Sequence, residues 1–168
     1  KLLSSSIIPR PVALITSFNS EDGIINIAPF SFFNGAGIGV LTLAIMRNGY
    51  EMKDTARNIL DTKEAVVHIV SKDIEEEMNQ TAAPLPRHIS ELERINVNLV
   101  ESNTVKVPAI AEAKIRFETK LNQHVEIKDE DGFTITDLMI LNVTDYYFDE
   151  EVFDPENLHV DFEKLNPI

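Results

Sequence analysis

"AKIRFETKL" occupies residues 113–121 and sets Ala113, Ile115, Phe117, Thr119 and Leu121 at every second position, with Lys114, Arg116, Glu118 and Lys120 between them. Apolar and charged residues alternating with a period of two belong to a strand that is half buried, the habit of antiparallel sheet. Ile115 and Phe117 are expected to turn inward. Downstream, "HVEIKDEDGFTITDLMILNVTDYYF" (124–148) reads as strand, "DEDG" turn and a second long strand. Upstream, "PVALITSFN" (11–19) is a β-rich run closed by "SEDG", and "VLTLAIMR" (40–47) and "AVVHIVS" (65–71) are further strands. "IINIAPFSFFNGAG" (24–37) is extended or looped, because Pro29 and the nearby glycines oppose a helix.

Helical spacing is confined to short segments. At about 54–62, Asp54 or Thr55 can serve as N-cap, and Ala56, Ile59 and Leu60 form an i, i+3, i+4 stripe. "DIEEEMNQTA" (73–82) has an acidic start suited to the helix dipole, and "SELERIN" (90–96) reads as a third short helix. Roughly six strands with three short helices and no βαβ rhythm predict a mainly β, α+β fold of barrel type with the helices outside it. No repeat, linker or low-complexity tract interrupts residues 1–168, so a single domain is expected.

Composition narrows the function. A formal net charge of −13 argues against DNA, RNA or an anionic membrane surface as partner, since those need basic patches. Without cysteine there are no thiol nucleophiles, disulfides or common structural zinc sites, and a cytoplasmic setting is expected. The longest apolar run, "IGVLTLAIM" (38–46), is well short of the ~18 residues a membrane span needs, and no signal peptide is visible. The chain opens at Lys1 and its end, "EKLNPI", reads as cut off mid-segment.

Three stretches carry candidate chemistry. "GAGIG" (35–39) leads into a strand rather than a helix, so it is not a dinucleotide-binding loop; its glycines allow a turn or a close backbone approach. "APFSFFNGAG" mixes Pro29, Phe30, Phe32 and Phe33 with Ser31, Asn34 and Gly35, flat apolar surface edged with hydrogen-bonding groups, which suits an aromatic ring system. Taken alone, core packing explains these phenylalanines more simply. "MKDTARNI" (52–59) is a cationic island at a helix start, where free N–H groups beside Lys53 and Thr55 form a phosphate cradle or, more blandly, a solvated helix end. His124 and Glu126 share a strand face, a spacing too common to imply a metal, and no hydrolase elbow occurs.

In this order the motifs resemble the flavin reductase-like family, FMN-binding proteins with an antiparallel Greek-key split β-barrel. "SSSIIPRPVALITS" (4–17) looks like the family's opening, "EDGIINIAPFSFFN" (21–34) like its flavin loop and "KDTARNI" (53–59) like its phosphate segment; "EAVVHIVS", "EEMNQTA" and "VPAIAEAKIRFETKL" continue the match. The resemblance implies FMN near the interface of a C2 homodimer, with hydride transferred from NADH or NADPH. Carried over by position, it implies that Asn26, Ala28, Pro29, Ser31, Phe32, Phe33 and Asn34 line the isoalloxazine and ribityl chain. Arg47, Lys53, Thr55 and Asn58 would surround the phosphate, with Arg10, Pro11 and Thr16 close by. Arg57, on the next part of the turn, is left out, and Asp54 is expected to cap the helix or pair with Arg57. Family members commonly carry a glycine-rich tail just beyond "LNPI", and without it one wall of the flavin site would be open. No catalytic side chain is implied, because hydride passes between nicotinamide and flavin directly. A non-catalytic protein that stores flavin or senses redox state would need the same residues, and this alternative stays open.

Overall fold

The computed structural model describes residues 2–168. In chain order its elements are α1 (Leu2–Ser6), β1 (Ala13–Phe18), β2 (Ile25–Phe30), β3 (Phe33–Gly37), β4 (Val40–Met46), α2 (Asp54–Thr62), β5 (Glu64–Ile69), α3 (Glu75–Thr81), β6 (Leu99–Val100), β7 (Ala109–Ile110), β8 (Ile115–Lys128), β9 (Thr134–Phe148), β10 (Phe153–Asp154), β11 (His159–Val160) and α4 (Phe162–Leu165). A seven-stranded sheet in the order β2-β1-β5-β8-β9-β4-β3 dominates, and its pairings are antiparallel. Its two edge strands, β2 and β3, are consecutive in the chain and joined through Ser31 and Phe32. The Ala44 N–H donates to the Phe32 carbonyl at 2.8 Å, so the join is pinned to β4. The ribbon thereby returns on itself as a split barrel, filled by Ala13, Ile15, Phe30, Leu43, Ile45, Met139 and Leu141.

Helix α2 closes one side of this core. Ala56 and Ile59 are fully buried against it, and Leu60 packs beside them. Lys63 in the left-handed conformation, φ 65°, ends the helix by returning its N–H to the Ile59 carbonyl at 2.9 Å. The N-cap is Lys53 rather than Asp54 or Thr55. Asp54 is the first helical residue; its Oδ1 pairs with Arg87 at 3.0 Å and, more loosely, with Arg57 at 4.0 Å, the partner expected for it. The segment expected to be helical over 73–82 begins as a 3₁₀ turn at Lys72–Ile74, where Ile74 dips into a second apolar cluster with Leu14, Ile27 and Met78. The helix expected at 90–96 is only a 3₁₀ turn, Glu91–Glu93. Ser90 caps that turn, and the Glu91 carboxylate accepts from the Ile27 N–H at 2.7 Å.

Strand β8 shows the expected alternation with one correction. Ile115 is buried and Phe117 half-buried, but Arg116 and Glu118, assigned to the solvent face, are also buried. The 101–110 segment covers them. Glu118 accepts from the backbone N–H groups of Asn103 (2.7 Å) and Thr104 (2.6 Å), while Arg116 donates to the Ile110 carbonyl at 3.2 Å and stacks on Tyr147 at 3.5 Å. Farther along, a register shift between Leu121 and Gln123 exchanges the faces. His124, half-buried, then lies opposite buried Met139, and Glu126 lies opposite buried Asp137 with its own side chain exposed, while Val125 and Ile127 are exposed on the other face.

Under the same covering segment lies His68, fully buried in β5. Its Nδ1 donates to the Leu14 carbonyl at 2.8 Å, and its Nε2 accepts from the Ile110 N–H at 2.9 Å, an arrangement that only the neutral ring satisfies. Burial lowers its pKa to about 4 from 6.5, against the opposing effect of the Leu14 bond. Unfolded chain therefore takes up a proton that folded chain refuses, and stability falls as pH drops from about 6.5 toward 4. The expected loss is about 3 kcal/mol, at 1.36 kcal/mol per pKa unit. Urea unfolding of wild type and His68→Gln across this range is expected to show the steep fall in wild type and a flatter profile in the variant.

Candidate functional site

Residues 29–34 build the site because they must cross from one sheet edge to the other. Pro29 sits opposite Leu14 on the edge strand β2, a place where a missing backbone donor is tolerated. Beyond Phe30, whose ring enters the core, Ser31 and Phe32 bridge to β3. On the outer face of the barrel, Ser31, Phe32, Phe33 and Asn34 meet Arg10 and Pro11 around a cavity of about 340 Å³. Ile7 and Pro9 form its N-terminal wall, and Thr42, Ala44 and Leu138 its floor. None of these five was among the expected site residues, although Ile7 and Pro9 fall within the opening motif. The alternation of β4 and β9, which sends Leu43, Ile45 and Met139 inward, is the signal that would have found the floor.

Arg10 is the charged residue among those lining the cavity. Its guanidinium lies 5.3 Å from the centre of the Phe32 ring and its Nε donates to Ser31 Oγ at 3.3 Å. Nη1 donates to the carbonyls of Ser4 and Ile7, fastening the N-terminal segment beside the cavity. The lining supplies two phenyl faces, hydroxyl and amide groups and one fixed cation, but no carboxylate, imidazole or lysine. It is suited to holding a flat, polar-edged molecule rather than to general acid–base work.

A second group of the expected residues gathers at the start of α2. Lys53 places its Nζ 5.7 Å from the Phe30 ring, and no side chain caps the helix start. Asn26 donates to Thr55 Oγ1 at 2.9 Å, and Asn58 donates to Ser17 Oγ at 3.2 Å. Ser17 and Asn26 are cross-strand partners, so these two bonds tie α2 to the β1–β2 pair. The Asn58 Oδ1 is buried without a protein partner. Arg87, which the sequence did not single out, reaches Asp54 Oδ1 at 3.0 Å from the segment after α3.

Other expected residues fall elsewhere. Thr16 is fully buried, its hydroxyl donating to the Pro108 carbonyl at 2.8 Å, and Ala28 packs beside the core. Arg47 makes a two-pronged pair with Asp137, 2.9 Å on each oxygen, and His124 shares the same carboxylate at 2.9 Å. Glu126 approaches Arg47 at 3.5 Å, so the His124–Glu126 pairing noted in sequence serves this ionic cluster. Burial alone would push the Asp137 carboxyl up, but the hydrogen bonds from Arg47 and His124 outweigh it and hold it below the usual range. Hydrogen bonding to Asp137 raises the Arg47 pKa in turn.

Residues 4–165 match the model of the flavin reductase like domain. The chain belongs to the flavin reductase-like family. It is 41% identical over 169 residues to the uncharacterized protein YwrF of Bacillus subtilis (strain 168), covering 99% of this chain and 82% of that one. Among solved structures it superposes on nitrilotriacetate monooxygenase component B from Bacillus cereus with a TM-score of 0.94 at 36% identity, covering 99% of this chain and 82% of that one. With the 2-nitrobenzoate 2-nitroreductase NbaA of Pseudomonas fluorescens the TM-score is 0.81 at 34% identity, over 95% and 75% of the two chains. Family and neighbours together make this a flavin oxidoreductase in the general sense.

Asp137 is 0% exposed, so removing it strands the Arg47 charge. Asp137→Ala is expected to lower stability by about 3 kcal/mol, the scale for breaking a buried pair. Replacing both partners, as in Arg47→Met with Asp137→Leu, is expected to recover most of that loss in denaturant titrations.

Proposed function

We propose that this protein binds FMN and passes hydride from NADH or NADPH to it. The observation that carries the reading is the cavity at the β2–β3 crossing, flat and apolar on Phe32 and Phe33 and polar on Ser31, Asn34 and Arg10, in a chain of this family. When bound, the flavin supplies the hydride-accepting ring, so the protein's task is binding, orientation and charge. The two phenylalanines offer the isoalloxazine its packing surface. The Ser31 hydroxyl and the Asn34 amide can bond its polar edge, and the held guanidinium of Arg10 favours negative charge developing in the cavity.

The preference for FMN is supported by the start of α2. An uncapped helix end beside Lys53 offers directed N–H groups and one point charge, the requirements of a terminal phosphate. Thr55 accepts from Asn26 and keeps its own hydroxyl hydrogen for a phosphate oxygen. Asn58 gives its amide hydrogen to Ser17, so in this reading it positions the helix rather than touching the ligand. Thr16, spent on Pro108, acts from beneath the sheet.

A C2 homodimer belongs to the same proposal. Exposed Val125, Ile127 and Met46 continue the cavity floor at Leu138 across the outer face, and exposed Ile7 and Ile8 flank its other side. A second copy laid over this strip would bury it and roof the flavin. A cytoplasmic location, where NAD(P)H is supplied, completes the reading. Among the described residues no helix is long and apolar enough to cross a membrane.

Anaerobic mixing of FMN-loaded protein with NADH or NADPH is expected to bleach the flavin band. A yellow protein that neither donor reduces would instead be a flavin-binding protein without turnover. Replacing Lys53 and Thr55 together with alanine is expected to weaken FMN by about 2–5 kcal/mol, from charge-assisted bonds of ~1.5–3 kcal/mol each. Riboflavin, which lacks the phosphate, is expected to bind both proteins alike in the same titrations.

A further inference from the structure

A carboxylate at the first position of α2 suits the helix dipole but opposes any anion seated there. Asp54 occupies that position, next to Lys53. Left free, it would compete with a ligand for the N–H groups of the first turn and would repel a dianion outright. Its carboxylate is held by a residue from another segment. Arg87 donates from Nη1 to Asp54 Oδ1 at 3.0 Å and from Nη2 to Asn19 Oδ1, also at 3.0 Å. Asn19, 4% exposed, is itself fixed in the β1–β2 turn. Its N–H donates to the Ile24 carbonyl at 2.9 Å, its carbonyl accepts from Gly23 at 2.8 Å, and its Oδ1 accepts from the Glu21 N–H at 3.1 Å.

The planar guanidinium is thus anchored on one tine and holds Asp54 with the other, a geometry that a lysine cannot reproduce. Arg57 offers no equivalent restraint, since its Nη1 stands 4.0 Å from the same oxygen on a side chain 46% exposed, against 20% for Arg87. We infer that Arg87 is a positioning residue for the flavin phosphate, holding the Asp54 carboxylate aside and matching its charge so that the seat beside Lys53 accepts a dianion. This rests on the phosphate reading given above. It assigns a role in cofactor selection to the 84–88 segment, which lies outside both the flavin loop and the helix.

The test is titration of FMN and riboflavin into wild type, Arg87→Ala, Asp54→Asn and the double variant. Arg87→Ala is expected to weaken FMN about tenfold, the effect of one unmatched charge near a dianion. Riboflavin should change by less than about twofold, and adding Asp54→Asn should restore FMN to within about threefold of wild type. An equal fall for both ligands, or a fall that Asp54→Asn does not repair, would make Arg87 a simple brace and overturn the inference; so would FMN affinity unchanged in Arg87→Ala. Wild type that binds FMN no better than riboflavin would overturn the phosphate reading itself, a different result from any of these. Should Arg87→Ala fail to fold, Arg87→Met keeps the aliphatic stem and is read by the same criteria.

Discussion

The structure depends on a short covalent crossing. Strand β2 ends at Phe30 and β3 begins at Phe33, yet they form opposite edges of one seven-stranded sheet. Two intervening residues can join those edges only if the ribbon curls until the edges nearly meet. That curl is what encloses Leu43, Ile45, Met139 and Leu141 with Ala13 and Ile15 in one core. The same crossing cannot keep its side chains inside. Phe30 points to the core and Phe33, opposite Leu43, packs against it while bordering the cavity, whereas Ser31 and Phe32 are delivered to the outer cavity. Barrel closure and site construction are therefore one event in the chain.

Electrostatics in this acidic protein are organised by committing cations locally. Arg47 is spent on Asp137, Arg116 on a carbonyl and a tyrosine ring, and Arg87 on Asp54. Arg10 and Lys53 are different, since each lies over a phenyl ring and neither has an ion pair among the described residues. A net charge of −13 would discourage an anionic ligand at long range, so recognition must act at contact distance, where two such cations weigh more than the distant field.

Much of this was legible in the sequence, and the reasons are local. Helix α2 runs over 54–62 as its stripe indicated, and the strands follow their alternation, because both signals are intrinsic to a few adjacent residues. Ser31 to Asn34 reach the cavity together because they are contiguous, and Arg10 and Pro11 join them through the contacts of Arg10 with Ser31 and the Phe32 ring. What escaped depends on segments that carry no periodic signal. Arg116 and Glu118 read as solvent-facing because nothing in "AKIRFETKL" announces that residues 101–110 will lie over them. The N-cap shifted to Lys53 because the partner of Asp54 comes from Arg87, far along the chain. The hydroxyl of Thr16, expected close to the cofactor, goes to the Pro108 carbonyl, ninety-two residues further along the chain.

The two edges of the barrel are finished unequally. Along β2, the Glu91 carboxylate takes up the Ile27 N–H, and the Ser90 hydroxyl donates to the Ile25 carbonyl, so side chains from a 3₁₀ turn stand in for a missing strand. Strand β3 has no other element over its outer side among the described residues; its Gly35 N–H is taken by the neighbouring Asn34 Oδ1 at 2.8 Å, and Gly35 and Gly37 leave its surface bare. Amide protons should therefore report two regimes, slow exchange at Ile27 under a carboxylate that burial makes reluctant to ionise and faster exchange at Gly35, whose acceptor is only the exposed Asn34 side chain. The bare edge is also where a foreign strand could add itself, so the hairpin of β3 and β4 is the part of the molecule most exposed to unintended pairing when the protein is concentrated.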